Sequence, residues 1–573
     1  MWIKLWRSCA SCTGTPTART KTSTLRRFCA TSSARSRFRP ARALLFAACS
    51  DSFLDRAPEG NYVDATFYTS DEALEAATAP LYNRAWFDYN QRSIVPIGSG
   101  RANDMYSPWN YPQFVTFQVT ALDENLSGAW SGFYSVVTMA NSVINAVETQ
   151  TQGSVSEAAK TKAIAEARLM RACAYFYMLR IWGPVILIED NQKLVDNPVR
   201  PLNREEDVFQ FIINDLNYAV DNLSEQSDKG RATSWAAKGI LAKVYLARSG
   251  WNNGGTRDEG DLELARQYAS DVCENSGLDL MTNYEDLFKY KNNNNQESLL
   301  AMQWVPLGEW YECNTLLSDL AFSTEVTGGV NCWSSYNGSI DMLQQYELAD
   351  TLRRNATFFT KGSYYSYICI KDGGYTYKGT ASPIKKGVPG GPDDDNDGKV
   401  KQMNSPLNTY ILRLADVYLT YAEACLGNNS TLSDGRGLYF FNRVRERAKI
   451  NKKSSITLDD IIRERRVEFG MEYSNWYDMV TWFRYLPDKM LNYFNNQWRG
   501  YRTDAIIKDE DGKLHFGKYD TDGTTFLEGP EYYTAPEFTI NIEAEDIFLP
   551  YPESDVIQNP LLNEPPVPYT FNE

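Results

Sequence analysis

The chain has 573 residues, 43% hydrophobic and 23% charged, the balance of a globular protein, and no stretch reaches the 18 or more apolar residues of a membrane-spanning helix. Its 58 Lys and Arg against 73 Asp and Glu give a formal charge of -15, which argues against a surface built for nucleic-acid phosphates or anionic lipid and toward a neutral or cationic partner. A single histidine, His515, would have to carry any imidazole metal site or Ser-His-Asp chemistry, whereas 14 Trp, 36 Tyr and 26 Phe exceed what one core needs and offer flat binding faces.

Residues 1–48 differ from the rest: Lys4, Arg7, Arg19, Lys21, Arg26, Arg27, Arg35, Arg37, Arg39 and Arg42 meet no acid before Asp51. The segment closes on the short apolar run Ala43–Ala48 before Cys49, which reads as the end of a lipoprotein signal, with Cys49 as the lipidated first residue of the mature chain. The apolar run is shorter than a full signal core, so residues 1 to about 38 read as a misassigned start. Without the ten cations, 48 positive charges face 73 negative ones, near -25.

Downstream the pattern is helical. Thr69 with Glu72 makes a capping-box signal for a helix running to Tyr82. Apolar residues at three- and four-residue steps predict helices over Trp130–Val147, 162–182, 205–223, 233–248 and 262–272, then 411–426, 435–448 and 458–483. Residues 284–410 are aromatic, glycine-rich and aperiodic, and 485–573 read as loops with hairpin turns at Asp511-Gly512 and Asp522-Gly523. Small residues at helix contacts (Ala236, Ala237, Gly239, Ala242; Ala415, Ala422, Ala424) suggest a mainly α fold, a tetratricopeptide-like superhelix of helical hairpins with long irregular loop insertions and a few short hairpins. The expected divisions are 1–48, a helical part 49–283 and a loop-rich part 284–573 that packs with it as one unit. Cys173 and Cys425 read as buried small hydrophobes, and Cys313 with Cys332 as a candidate disulfide.

Several ordered blocks resemble the SusD/RagB family of nutrient-binding outer-membrane lipoproteins. They are Ser52-Phe53-Leu54-Asp55 after Cys49; Glu166-Ala167-Arg168-Leu169-Met170-Arg171-Ala172 with Tyr175-Phe176 and Trp182-Gly183; Gly230-Arg231-Ala232-Thr233; Arg413-x-Ala415-Asp416; Glu464-Arg465-Arg466-x-Glu468 with Trp476-Tyr477-Asp478; and Asn559-Pro560. The resemblance implies a cell-surface lipoprotein of the outer membrane, anchored through Cys49, that captures an oligosaccharide and delivers it to a TonB-dependent, SusC-like transporter. The rival in the same fold is a RagB-like protein that binds peptide or glycoprotein. The charged residues of these blocks lie beside apolar stripes and read as inter-helix ion pairs. Glu464 and Glu468, flanked by Arg463, Arg465 and Arg466, read as paired charges and not as a glycosidase carboxylate pair, so no enzyme is expected.

A sugar ring needs aromatic faces with polar side chains at the rim, and loops carry such sites. Two segments qualify: 97–120, with Asn103, Asp104, Trp109, Asn110 and Tyr111, and 304–338, with Trp304, Trp310, Tyr311, Asn331, Trp333 and Tyr336. Trp130, Trp235, Trp476 and Trp482 fall on helical stripes and read as core. Asp393-x-Asp395-x-Asp397-Gly398 matches the first half of a calcium loop, but Asn404 stands where a bidentate Glu would close it, leaving a calcium site or a solvated acidic loop.

Overall fold

The computed structural model describes residues 68–573 except 334–335, 380, 501–505, 509–513, 520–524, 529–537 and 572–573. The basic leader, Cys49 and Ser52–Asp55 lie outside the described residues. The first helix, α1 (Asp71–Thr78), is capped by Ser70, whose side chain accepts from the Ala73 N–H, one position later than the Thr69 signal suggested. Residues Tyr89–Gly100 form a wide π-type coil with Pro96 inside, which helical periodicity did not reveal. A Cβ on Gly98 would lie 2.1 Å from the Tyr473 carbonyl oxygen, so only glycine lets this coil meet the Tyr473 backbone.

The predicted amphipathic stretches then appear as α2 (Glu124–Gln150), α3 (Glu157–Trp182), α4 (Glu205–Asn222), α5 (Ser234–Gly250) and α6 (Glu259–Asn275). Asp123, Ser156, Thr233 and Asp258 cap four of them by accepting backbone N–H bonds. After the irregular stretch come α7 (Leu414–Leu426), α8 (Gly435–Arg447), α9 (Leu458–Phe469), α10 (Asn475–Tyr485) and α11 (Pro487–Asn495). From α2 to α8 each helix packs on its successor, which is the expected succession of helical hairpins in a mainly α protein. Residues 68–573 form one compact unit.

Three helix expectations change, the first being that Pro487–Asn495, read as loop, form α11. Residues 411–413 belong to a strand, and 458–483 is broken at Gly470, beyond which Met471 and Tyr473 adopt left-handed φ values of 58° and 66°. Such backbone costs on the order of 1 kcal/mol per non-glycine residue. It places the Glu472 carboxylate against Arg413 and Lys386.

The strands are short and antiparallel: β1 (Met105–Tyr106), β2 (Ser298–Met302), β3 (Asn337–Gly338), β4 (Tyr364–Tyr365), β5 (Tyr375–Thr376), β6 (Thr409–Arg413), β7 (Ile506–Lys508), β8 (Leu514–Tyr519) and β9 (Phe526–Glu528). β1 pairs with β3, β2 with β6, β4 with β5, and β7–β8–β9 form a three-stranded sheet; the turns expected at Asp511-Gly512 and Asp522-Gly523 lie outside the described residues.

Charged motif residues cross-link the helices. Arg171 holds Asp215 through two 2.8 Å bonds and Asn141 through a third of 2.6 Å, joining α3, α4 and α2. Arg465 joins Asp416 and Asp478, and Glu468 receives Arg353 (3.0 Å), Arg413 (2.7 Å) and Arg447. Three guanidinium groups hold the buried Glu468 carboxyl well below the usual range, overcoming the effect of burial. Trp130, Trp235, Trp476 and Trp482 are buried, as their stripes indicated. Cys313 and Cys332 are unpaired, the Cys313 thiol donating to the Trp310 carbonyl at 3.2 Å, and Cys425 is only half-buried.

Candidate functional site

The two aromatic loops chosen from the sequence are brought together by the β1–β3 ladder, with Met105 opposite Gly338 and Tyr106 opposite Asn337. Asn103 and Asp104, immediately before β1, lie beneath this junction and not on its surface, both 0% exposed. Asn103 donates to the Trp498 carbonyl at 3.1 Å, and Asp104 accepts from the Asn475 amide at 2.9 and 3.0 Å beside Arg466 at 3.6 Å. Burial outweighs Arg466 and pushes the Asp104 carboxyl up to about 6. These two residues support the site, which corrects their assignment as ligand contacts.

Past β1 the chain turns outward. The backbone N–H groups of Trp109 and Asn110 both donate to the buried Ser107 hydroxyl, at 3.2 and 3.1 Å, a local turn that thrusts the Trp109 side chain into solvent, 84% exposed. Tyr111, at φ 62°, stacks on Tyr336 with ring centroids 6.3 Å apart and planes 20° apart. Tyr336 is almost wholly buried, so it backs Tyr111 and does not itself reach solvent.

On the second loop Trp310 (43% exposed) and Tyr311 (57%) stand edge-on to the buried Phe87 at 5.5 and 5.1 Å. Trp304 is core, its indole donating to Thr409 at 2.9 Å. Trp333 (46% exposed) is tied by its backbone N–H to the Ser318 carbonyl at 2.7 Å. The Ser318 hydroxyl donates to the Asn331 carbonyl and accepts from the Met403 N–H, both at 3.0 Å, while the exposed Asn331 amide donates to Gln402 at 3.2 Å. Cys313 also reaches the Met403 carbonyl at 3.7 Å and Leu307 bonds Asn404 at 3.0 Å, so segment 402–404 joins the Trp310 and Trp333 stretches.

Asp319 was not singled out from the sequence. It lies among Tyr111, Trp333, Tyr336 and Tyr473, where burial pushes its carboxyl up to about 6 and the Trp333 indole N–H offsets part of the effect. Its one signal was a carboxylate inside the apolar run Leu316-Leu317-Ser318-Asp319-Leu320-Ala321. Behind it, Leu320, Lys386, Glu472 and Tyr473 help line a cavity of about 50 Å³, room for waters but not for a sugar ring.

In the acidic loop the carboxylates face lysines. Asp393 pairs with Lys371 at 2.7 Å, and Asp395 and Asp397 both face Lys291, in exposed pairs. Among the described residues no group of three or more His, Cys, Asp or Glu is placed to hold a metal ion. Asp394, between them, does the structural work by accepting the Ile370 and Gly391 N–H groups at 2.9 and 2.7 Å.

The candidate site thus consists of the exposed indoles of Trp109, Trp310 and Trp333 and the phenols of Tyr111 and Tyr311, carried on loops held by buried hydroxyls and amides. Such aromatic side chains can stack on flat apolar faces. Residues 310–567 match the family model described as SusD family, and 52–246 match the one described as starch-binding associating with outer membrane. SusD-like protein P25 of Formosa agariphila is 24% identical over 75% of this chain and 86% of its own length. A crystal structure with xylogluco-oligosaccharide is 98% identical, covering 87% of this chain and 100% of that chain at a TM-score of 0.84. A laminarin binding SusD-like protein, 21% identical over 86% of this chain and 98% of its own, shares the fold at a TM-score of 0.61. With the two family models spanning both the helical hairpins and the aromatic loops, the chain belongs to the SusD family.

Proposed function

We propose that this protein is a non-catalytic, cell-surface glycan-binding protein of the outer membrane, and that its ligand is a neutral xyloglucan-type oligosaccharide stacked across Trp109, Trp310 and Trp333. One observation carries the reading: three exposed indoles stand on loops of a chain 98% identical to one crystallised with xylogluco-oligosaccharide. The C–H face of each glucosyl ring would cover an indole, and Asn110, Tyr311 and Asn331 would meet the hydroxyl rim. The acidic chain gives a neutral sugar no electrostatic obstacle, and the open surface suits a long ligand better than a closed pocket does.

In this reading a lipid on Cys49 keeps the protein at the membrane. A single lipid signal anchors weakly, so contact with a TonB-dependent, SusC-like transporter would both retain the protein and receive the sugar. Isothermal titration with xylogluco-oligosaccharide, with malto-oligosaccharide and a cationic peptide as alternatives, tests the ligand. Binding of the first, abolished in the Trp109→Ala, Trp310→Ala, Trp333→Ala triple variant, is the expected result. Undiminished binding by the triple variant, or binding of peptide alone, rejects it. Co-purification of a transporter with the lipidated protein, and its loss with Cys49→Ala, tests the partner.

A further inference from the structure

We propose that Arg84 and Glu312 form a hydroxyl-binding rim beside Trp310: the guanidinium, held by the carboxylate, donates to neighbouring hydroxyls of the sugar ring stacked on that indole. The inference rests on the glycan-binding reading of the same surface and adds to it a contact, Arg84, from outside both aromatic loops.

Trp310, Tyr311 and Glu312 make one short 3-10 turn, closed by the Glu312 N–H on the Glu309 carbonyl at 2.9 Å and by the Val305 N–H on the Glu312 carbonyl at 2.8 Å. The two aromatic rings lean edge-on against the buried Phe87, and the Glu312 carboxylate accepts from the Arg84 Nη2 at 3.0 Å. Arg84 opens the short turn Arg84–Trp86 that leads directly into Phe87, so the segment that backs the rings also carries the guanidinium. That segment is fixed from beneath. The Trp86 indole donates to the Leu81 carbonyl at 2.9 Å, and the Tyr82 carbonyl accepts the Gln303 N–H at 2.7 Å, one residue before the second aromatic loop begins.

A guanidinium carries five N–H donors in a planar fork. Arg84 spends one of them on Glu312, and among the described residues its half-exposed side chain makes no other bond. Glu312 keeps its second carboxylate oxygen without a partner among the same residues. An exposed pair of this kind contributes little to stability, so the fold alone gives it small work. Beside an aromatic face it supplies donors and an acceptor together, which matches sugar hydroxyls that both donate and accept. The two charges cancel locally, as a neutral ligand requires. A bond from a charged donor is about twice as strong as one between neutral groups, and the pairing holds the long Arg84 side chain in place before the ligand arrives, which lowers the ordering cost of binding.

The test is calorimetric titration of the wild-type chain, Arg84→Met, Arg84→Lys and Trp310→Ala with xylogluco-oligosaccharide, accompanied by thermal melts and ligand-free near-UV circular dichroism. Arg84→Met keeps the apolar stem and removes the donors, and its affinity should fall about tenfold or more. Arg84→Lys keeps the charge but loses the fork, and should lie between Arg84→Met and wild type. Both should melt with the wild type and show its aromatic dichroism bands, because the rings rest on Phe87 and not on the guanidinium. Affinity of Arg84→Met within about twofold of wild type, while Trp310→Ala loses binding, overturns this inference and leaves the glycan reading standing. A loss of affinity in Arg84→Met that comes with altered ligand-free aromatic bands also overturns it, since Arg84 would then position the rings and not touch the sugar. If the wild type binds no xylogluco-oligosaccharide, the glycan reading fails and this inference falls with it.

Discussion

Trp109→Ala separates binding from folding more cleanly than any other change at this surface. The side chain is 84% exposed, and its fixed contact is the backbone N–H to Ser107, which alanine retains. Little apolar area leaves the fold with the indole, so stability should stay within about 0.5 kcal/mol of wild type. In the complex, a stacked pyranose covers on the order of 60 Å² of indole, which at about 25 cal/mol/Å² amounts to ~1.5 kcal/mol, a factor of about ten in Kd. Calorimetric titration with xylogluco-oligosaccharide measures the second quantity and a thermal melt the first. An unchanged Kd would remove Trp109 from the site, and a drop of several degrees in Tm would show that the indole has a structural role that its exposure denies.

Three further outcomes follow from the geometry. Glu468→Gln leaves Arg353, Arg413 and Arg447 short of a buried anion, and breaking such a pair costs about 3–5 kcal/mol. Unfolding entropy for a chain of this size is on the order of 1 kcal/mol/K, so a calorimetric Tm about 3–5 °C lower is expected, and an unchanged Tm would mean that the network is not a stabilising clamp. Asp319 is raised from 3.8 to about 6, so the folded state binds its proton more tightly than the unfolded chain does. Its contribution to stability is full below pH 3.8 and is lost as pH rises through about 6, so Asp319→Asn should gain on wild type by up to about 3 kcal/mol between pH 4 and 7 in denaturant melts. A constant difference across that range would show an unperturbed carboxyl. Calcium should leave the Tm of the chelated protein unchanged, because Lys291 and Lys371 already neutralise Asp393, Asp395 and Asp397; a rise with calcium would show those pairs yielding to the ion.

Helix positions were legible because each helix buries a stripe: Val208, Ile212, Leu216 and Ala219 of α4 are all buried, and their spacing is visible in one dimension. The breaks were not. Nothing in the periodicity of 458–483 distinguishes Gly470 from a tolerated helical glycine; the interruption serves Glu472, whose partners Lys386 and Arg413 are 86 and 59 residues away. The aromatic loops were legible because Trp109, Trp310, Trp333 and Tyr311 lack helical spacing and therefore had no stripe to join. Asn103, Asp104 and Tyr336 were misplaced for the same reason that made their loops attractive: composition identifies a polar, aromatic loop but not which of its side chains turn inward. Burial of Asp104 depends on Asn475 and Arg466, more than 360 residues downstream.

The buried charge and the exposed tryptophans belong to one design. An aromatic surface gains affinity only in so far as its rings are held before the ligand arrives, since each side chain immobilised on binding costs about 0.5–1.5 kcal/mol. Here Tyr473 follows directly on Glu472, which receives two 2.8 Å bonds from Arg413; Arg413 in turn holds Glu297 and Glu468. The left-handed backbone at Met471 and Tyr473 is unfavourable by itself and persists because this network and the Gly98 contact leave the chain no other path. Tyr473 is thus fixed from the side of the ion pairs. On the proposed glycan reading, a change at Glu472 should lower both Tm and sugar affinity, whereas a change of equal stability cost in the α3–α4 link, such as Arg171 with Asp215, should lower Tm alone.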